Sequence, residues 1–269
     1  MDREFHFNKI IVLESLMDDE IKTGENLFND LLKWKSLEIE GLHSEFKRIL
    51  NRNDFFEQIK HLKKEVQDED ILPILHLEFH GDQEKKGLTL VNGELINWTE
   101  LVNTFREINI LSKNNFVVSL ASCYGFYMNS AVKLKEKAPF WGFIGATKEI
   151  SSGDIEISFE SFFKTLLSTL DFNLSVKNLN ETNGMEYRYA FYQAEEYFNF
   201  IFKKHEDEYY KPENFKQWVS TLVELAESDE SIINSFNKVE ILDRVEEILS
   251  DKTKIRAFFK NNFLNVNEN

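Results

Sequence analysis

The chain has 269 residues, 42% of them hydrophobic, which suits one large α/β domain or a domain with an appendage; with 3 Pro and 10 Gly it is neither low-complexity nor a turn-rich all-β chain. A formal net charge of −15 repels phosphate backbones and argues against nucleic-acid binding. No apolar run is long enough to cross a bilayer and the first residues carry no signal-peptide stretch, so a cytoplasmic protein without a membrane partner is expected.

Lys9 to Ser15 (KIIVLES) is a short, β-branched apolar run and predicts the first strand. Gly24 punctuates the connection, and Leu27, Leu31 and Trp34 then fall at helical spacing. Leu37 to Leu42 (LEIEGL) alternates and predicts a second strand; Asp54 caps a helix with Phe55, Ile59, Leu62 and Val66 on one stripe. Ile71 to Phe79 (ILPILHLEF) predicts the third strand, followed at once by His80-Gly81-Asp82. Asn92-Gly93 between apolar residues signals a hairpin, and Thr99 opens a helix. Asn115 to Ala121 (NFVVSLA) is a fourth, buried strand ending in Ser122-Cys123-Tyr124-Gly125; Phe126 to Lys137 follows as a helix, and Phe140 to Ala146 as a fifth strand. Ile155 to Ser158 reads as a short extended piece before a helix from about Phe159 to Leu170.

Strands alternating with helices predict an α/β fold, a mostly parallel sheet flanked by helices, over residues 1–176. The polar stretch Lys177 to Gly184 reads as a boundary. Beyond it, Tyr187–Lys204, Pro212–Glu227, Ser231–Leu249 and Lys252–Phe263 carry helical periodicity, giving an α-helical C-terminal region over residues 185–269.

Two apolar strands each end in a residue of catalytic type, His80 and Cys123. The carboxyl ends of parallel strands line one edge of a sheet, where ligands bind. If the two strands are neighbours, about 4.8 Å apart, imidazole and thiol come within reach. Cys123 is the single cysteine, which excludes an internal disulfide; alone it would read as a small buried hydrophobe. A free thiol has a pKa of about 8.5, so a nucleophilic cysteine needs a neighbouring base, the part His80 would play. Gly81 lacks a Cβ, so its N–H, with that of Cys123, can line an oxyanion hole.

A strand ending in His80-Gly81, then one ending in Ser122-Cys123-Tyr124-Gly125, resembles the caspase-like clan of cysteine peptidases, with Leu75 to Asp82 and Val118 to Gly125 most similar to its bacterial CHAT-like branch. The two residues are 43 positions apart, against about 50 in caspases. The resemblance covers roughly residues 8 to 170, and Ala121 stands where the caspase Gln would be. It implies a caspase-like fold, cleavage of protein or peptide substrates by Cys123 and His80, no cofactor or metal, and an effector of bacterial defence, antiviral or in cell death, under the control of an activating partner or small signal molecule. Glu14, Asp82 and Glu149, at the predicted strand ends, have two readings: a pocket for a basic P1 side chain, or solvated loop charges. Lys203, Lys204, Lys211 and Lys216 offer an anionic regulator a site, or pair with neighbouring acids. The alternative to an enzyme is a catalytically silent caspase-like module for interaction or ligand sensing.

Overall fold

The continuous apolar runs of the first 150 residues become strands buried on both faces. The computed structural model describes residues 5–181 and 188–265. Its strands are β1 (Lys9–Ser15), β2 (His43–Arg48), β3 (Pro73–Gly81), β4 (Gly87–Thr89), β5 (Leu95–Asn97), β6 (Val117–Leu120), β7 (Gly142–Ala146) and β8 (Tyr189–Gln193). The main path of the sheet runs β2-β1-β3-β6-β7-β8; its neighbours are parallel except β8, which is antiparallel to β7. The β4–β5 hairpin pairs with the last two residues of β3.

Helices cover both faces. α1 (Thr23–Leu27) continues through a π-helical turn, Phe28–Leu32, into α2 (Lys33–Glu38); α3 (Arg52–Asp68), α4 (Trp98–Leu111), a 3-10 segment Gly125–Ala131, α5 (Ser152–Thr169) and α6 (Phe172–Glu181) follow. Side chains alternate across a strand, so each strand feeds two cores. Leu75, Leu77, Val118 and Leu120 pack with Phe55, Ile59 and Phe105 of α3 and α4 on one face. Ile10, Val12, Ile74 and Val117 pack with Leu27, Phe159 and Phe163 on the other. Burial of each such side chain contributes roughly 1.5–3 kcal/mol.

The chain forms two compact units, Met1–Lys133 with Lys137–Ala194, and Leu134–Glu136 with Glu195–Asn269. The second holds α7 (Ala194–Tyr209, from its second residue), α8 (Pro212–Glu227), α9 (Glu230–Ile233), α10 (Lys238–Ser250) and α11 (Lys252–Phe263). Within it Tyr197 and Phe198 of α7 meet Phe263 of α11, the Tyr210 hydroxyl donates to the Leu249 carbonyl (3.0 Å), and Lys211 pairs with Glu208 at 2.6 Å. Among the described residues no helix is long and apolar enough to cross a membrane.

Several elements differ from the sequence reading, each for a local reason. The second strand forms at His43–Arg48, because Leu37–Leu42 finishes α2 and turns at Gly41 (φ 78°). An edge strand with one wet side carries charges, which hid it. Asn51 rather than Asp54 caps α3, and Asn97 rather than Thr99 caps α4, in a capping box with Glu100. Phe126–Lys137 is helical only to Ala131, as a 3-10 segment. Ile155–Ser158 belongs to α5, where Ser151 caps the helix by accepting from the Asp154 N–H. Lys177 to Glu181, expected as a boundary loop, ends α6; Thr182 to Gly184 of that stretch lie outside the described residues. Tyr189–Gln193, expected to be helical, is an edge strand of the sheet, at the opposite end from β2, so the α/β unit extends past residue 176 to Ala194.

Candidate active site

β3 and β6 are neighbours, with His76 opposite Ser119 and Leu77 opposite Leu120. The Ala121 N–H donates to the Leu77 carbonyl (2.9 Å), which carries the ladder one residue past β6. The same register, followed to the strand ends, sets His80 beside Cys123. Contact is closest at Gly81: a Cβ there would stand 1.8 Å from the Cys123 carbonyl oxygen and 2.7 Å from its carbon. Backbone lies against backbone, so only glycine fits.

His80 and Cys123 line one cavity of about 320 Å³. Its walls come from the segment after β1 (Asp19, Glu20), the end of β3 (Glu78), and the start of α5 with the residue before its cap (Ile150). β1 leads to β2 on one side, and the chain crosses to β3 on the other, so the cavity opens at the topological switch point of the sheet.

His80 is 46% exposed, and its Nε2 lies 2.9 Å from Glu20 Oε1 and 3.1 Å from Oε2. Its Nδ1 forms no hydrogen bond among the described residues, so Glu20 orients the ring and leaves the other nitrogen for chemistry. Burial raises the Glu20 carboxyl, but the Met17 N–H, His80 and Lys22 outweigh it and hold the group below its ordinary value. Glu20 is therefore an anion beside the ring at neutral pH.

Cys123 is half-buried. Its Sγ accepts from the Ile150 N–H (3.4 Å) and donates to the Ile150 carbonyl (3.7 Å). No hydrogen bond joins sulfur and imidazole among the described residues. Ile150 stands just ahead of the cap of α5, an 18-residue helix whose partial positive charge favours an anion at that end. Tyr124, directly after the cysteine, is left-handed (φ 57°), a conformation that persists only where the surroundings enforce it.

Of the two residues expected to supply oxyanion amides, Cys123 lines the cavity and Gly81 is not among its lining residues. The Cys123 N–H makes no hydrogen bond among the described residues. The Asp82 N–H donates to the Gly87 carbonyl on β4 (3.0 Å). Amides alternate sides along a strand, so the Gly81 N–H faces away from β4.

The acids of the sequence reading lie elsewhere. Glu14 is inside β1, buried, with Oε1 accepting from the Gly24 (2.9 Å) and Glu25 (3.1 Å) N–H groups; it is not among the cavity's lining residues. Burial raises its carboxyl, as does Glu78, against those two amides. Asp82 accepts from the Lys86 N–H (3.0 Å) and closes its own turn, and Glu149 accepts from the Tyr124 hydroxyl (3.3 Å); neither lines the cavity. Asp19, Glu20 and Glu78 stand there instead. Glu78 is buried between His76 Nε2 (2.8 Å) and the Thr23 hydroxyl (2.9 Å), and His76 reaches the Ser119 hydroxyl (2.8 Å) on its other side. His76 also packs against Phe159, the rings 4.6 Å apart and tilted by 57°, and is a strand residue away from the cavity. Glu78 shares strand parity with His80 and so was legible as a neighbour. Asp19 and Glu20 follow the first strand at the same sheet edge. Ile150 acts through its backbone and carries no signal in sequence. Among the described residues no group of three or more His, Cys, Asp or Glu is placed to hold a metal ion.

Neither protein-family models nor curated proteins match this chain. The functional reading rests on the site itself.

Proposed function

We propose that the protein is a cysteine endopeptidase. The observation that carries this reading is a lone thiol and an oriented imidazole on the walls of one cavity, at the ends of adjacent parallel strands. His80 takes the Cys123 proton and the sulfur attacks the scissile carbonyl carbon. The oxyanion is received by the Cys123 N–H, a contribution of about 3–4 kcal/mol for one donor; the Gly81 N–H, the second donor expected from the sequence, belongs to a residue outside the cavity's lining. The imidazolium, balanced by Glu20, returns the proton to the leaving amine. Water, activated by the same ring, then splits the thioester and frees the thiol.

Among the described residues, the cavity is lined by three carboxylates, Asp19, Glu20 and Glu78, and by no lysine or arginine. It favours a substrate with a basic side chain beside the scissile bond and disfavours an acidic one. The resemblance to caspase-like and CHAT-like peptidases extends the reading to a cytoplasmic effector of bacterial defence or cell death, held in check until a partner or small molecule acts. That extension rests on analogy.

One observation favours the alternative, a catalytically silent module: the sulfur is hydrogen-bonded to Ile150 and not to the ring. Alkylation by iodoacetamide separates the two. A thiol that reacts at pH 7 much faster than free cysteine, with the excess lost in His80→Ala, supports the enzyme; a thiol as slow as in His80→Ala supports the module. Incubation with a peptide library, comparing wild type with Cys123→Ala, then tests cleavage. Equal product patterns from both proteins would remove the peptidase reading.

A further inference from the structure

We infer that Lys85 is a positioning residue for the Cys123–His80 pair, acting through Tyr124 and Tyr127. The inference rests on the reading of these two residues as nucleophile and base. Lys85 lies in the turn that follows His80-Gly81, between β3 and β4. Its Nζ stands 4.4 Å from the Tyr124 ring centre and 4.9 Å from that of Tyr127, and donates to the Tyr127 hydroxyl (3.3 Å). The two rings meet edge to face, 6.1 Å apart at 80°. The ammonium is attracted by the quadrupole of the Tyr124 ring and is held at Tyr127 by the hydroxyl.

Both ends of this contact are fixed. The Lys85 backbone is left-handed (φ 60°); its N–H donates to the Asp82 carbonyl (2.9 Å), and its carbonyl accepts from Nε1 of the buried Trp98 (2.7 Å). The turn is thereby pinned to the start of α4. At the other end, the left-handed Tyr124 donates its N–H to the Lys148 carbonyl (3.3 Å) and its hydroxyl to Glu149 (3.3 Å). Lys148 and Glu149 directly precede Ile150, which holds the sulfur. Three loops at one end of the sheet, those of His80, Cys123 and Ile150, thus converge on Tyr124, the first through its ring and the third through its backbone N–H and hydroxyl. Lys85 is the cation that joins the first loop to the second. It lies outside the cavity's lining residues and acts on the chemistry only through the place it gives Cys123.

The test uses the alkylation rate of Cys123 by iodoacetamide from pH 5 to 9, which reports a single site because the chain has one cysteine. Lys85→Met keeps length and loses charge; it is expected to lower the His80-dependent part of the rate about five-fold with the melting temperature unchanged. Lys85→Arg keeps the cation and is expected to restore the profile. Tyr124→Phe loses the long hydroxyl bond to Glu149 but keeps the ring and the backbone bond to Lys148, and is expected to stay close to wild type, whereas Tyr124→Leu is expected to resemble Lys85→Met. A wild-type pH profile in Lys85→Met or in Tyr124→Leu, while His80→Ala still differs, overturns the positioning role and leaves the dyad standing. Identical profiles for wild type and His80→Ala overturn the dyad and the positioning role together.

Discussion

Replacing Gly81 with alanine tests the junction on which the site depends. The added Cβ would stand 1.8 Å from the Cys123 carbonyl oxygen, whereas real Cβ contacts begin near 3.0 Å. The two main chains must part by more than 1 Å, and no side-chain rotation can relieve the overlap because both partners are backbone. A misplacement of about 1 Å can cost roughly a hundred-fold in rate, and overpacking of this kind costs about 1–3 kcal/mol in stability. At 2–4 °C per kcal/mol for a unit of this size, Gly81→Ala is expected to melt roughly 2–12 °C lower. Gly153→Ala is the control, since nothing lies within 4 Å of the added carbon. Thermal melts, iodoacetamide alkylation and peptide cleavage are measured on both variants. Gly81→Ala that melts and alkylates like wild type would refute the contact, and with it the placement of His80 against Cys123.

Three further outcomes follow from the charges. Glu20→Gln keeps an acceptor for His80 Nε2 but removes the counter-charge, so cleavage is expected to fall about ten-fold, the value of one charge-assisted hydrogen bond; an unchanged rate would remove Glu20 from the mechanism. Because the Glu20 carboxyl is held below its ordinary value, its contribution to stability is intact above that value and is lost only as pH falls through the lowered one. Lys9 is buried between Glu65 (2.6 Å) and Glu45 (2.9 Å), and Lys9→Met is expected to cost about 2 kcal/mol, less than a fully buried pair because Glu45 keeps 30% exposure; a wild-type melt would contradict this. Burial lowers the Lys9 pKa but the two carboxylates outweigh it and raise it, so this stabilisation is full below the ordinary lysine value and declines as pH rises through the raised one. Glu14 has the opposite sign from an ordinary carboxylate: its folded pKa is raised, so ionising it costs stability as pH climbs from its ordinary value through the raised one. Glu14→Gln keeps the acceptor for Gly24 and Glu25 and is expected to melt at or above wild type at pH 8, and a clear drop there would sink the argument.

The parallel strands were legible because β1, β3, β6 and β7 are buried on both faces and so are written as unbroken apolar runs. The edges were not. β2 has a wet side and carries Glu45, Lys47 and Arg48, so nothing marks it as a strand. β8 (YAFYQ) is aromatic enough for either state, and its pairing with β7 comes from far along the chain. Ile155 and Ile157 alternate like a strand, but the stripe through Phe159, Phe162 and Leu166 decides for a helix. That His80 and Cys123 follow strand ends was legible from the apolar runs before them, whereas the adjacency of β3 and β6 was only a condition of the reading and comes from the register of the sheet. The acidic wall was misplaced for a reason of parity and reach: Glu14 points under α1, where two amides claim it, while the chain two turns of sequence later returns Asp19 and Glu20 to the cavity.

The last strand of the sheet is also the latest to be made. Until Tyr189–Gln193 leave the ribosome, β7 has a bare edge of five residues, all buried in the finished fold. The nascent chain must shield that edge while α5 and α6 are still being synthesised, and ribosome-bound chains stopped before residue 189 should therefore be the ones that recruit chaperones or aggregate.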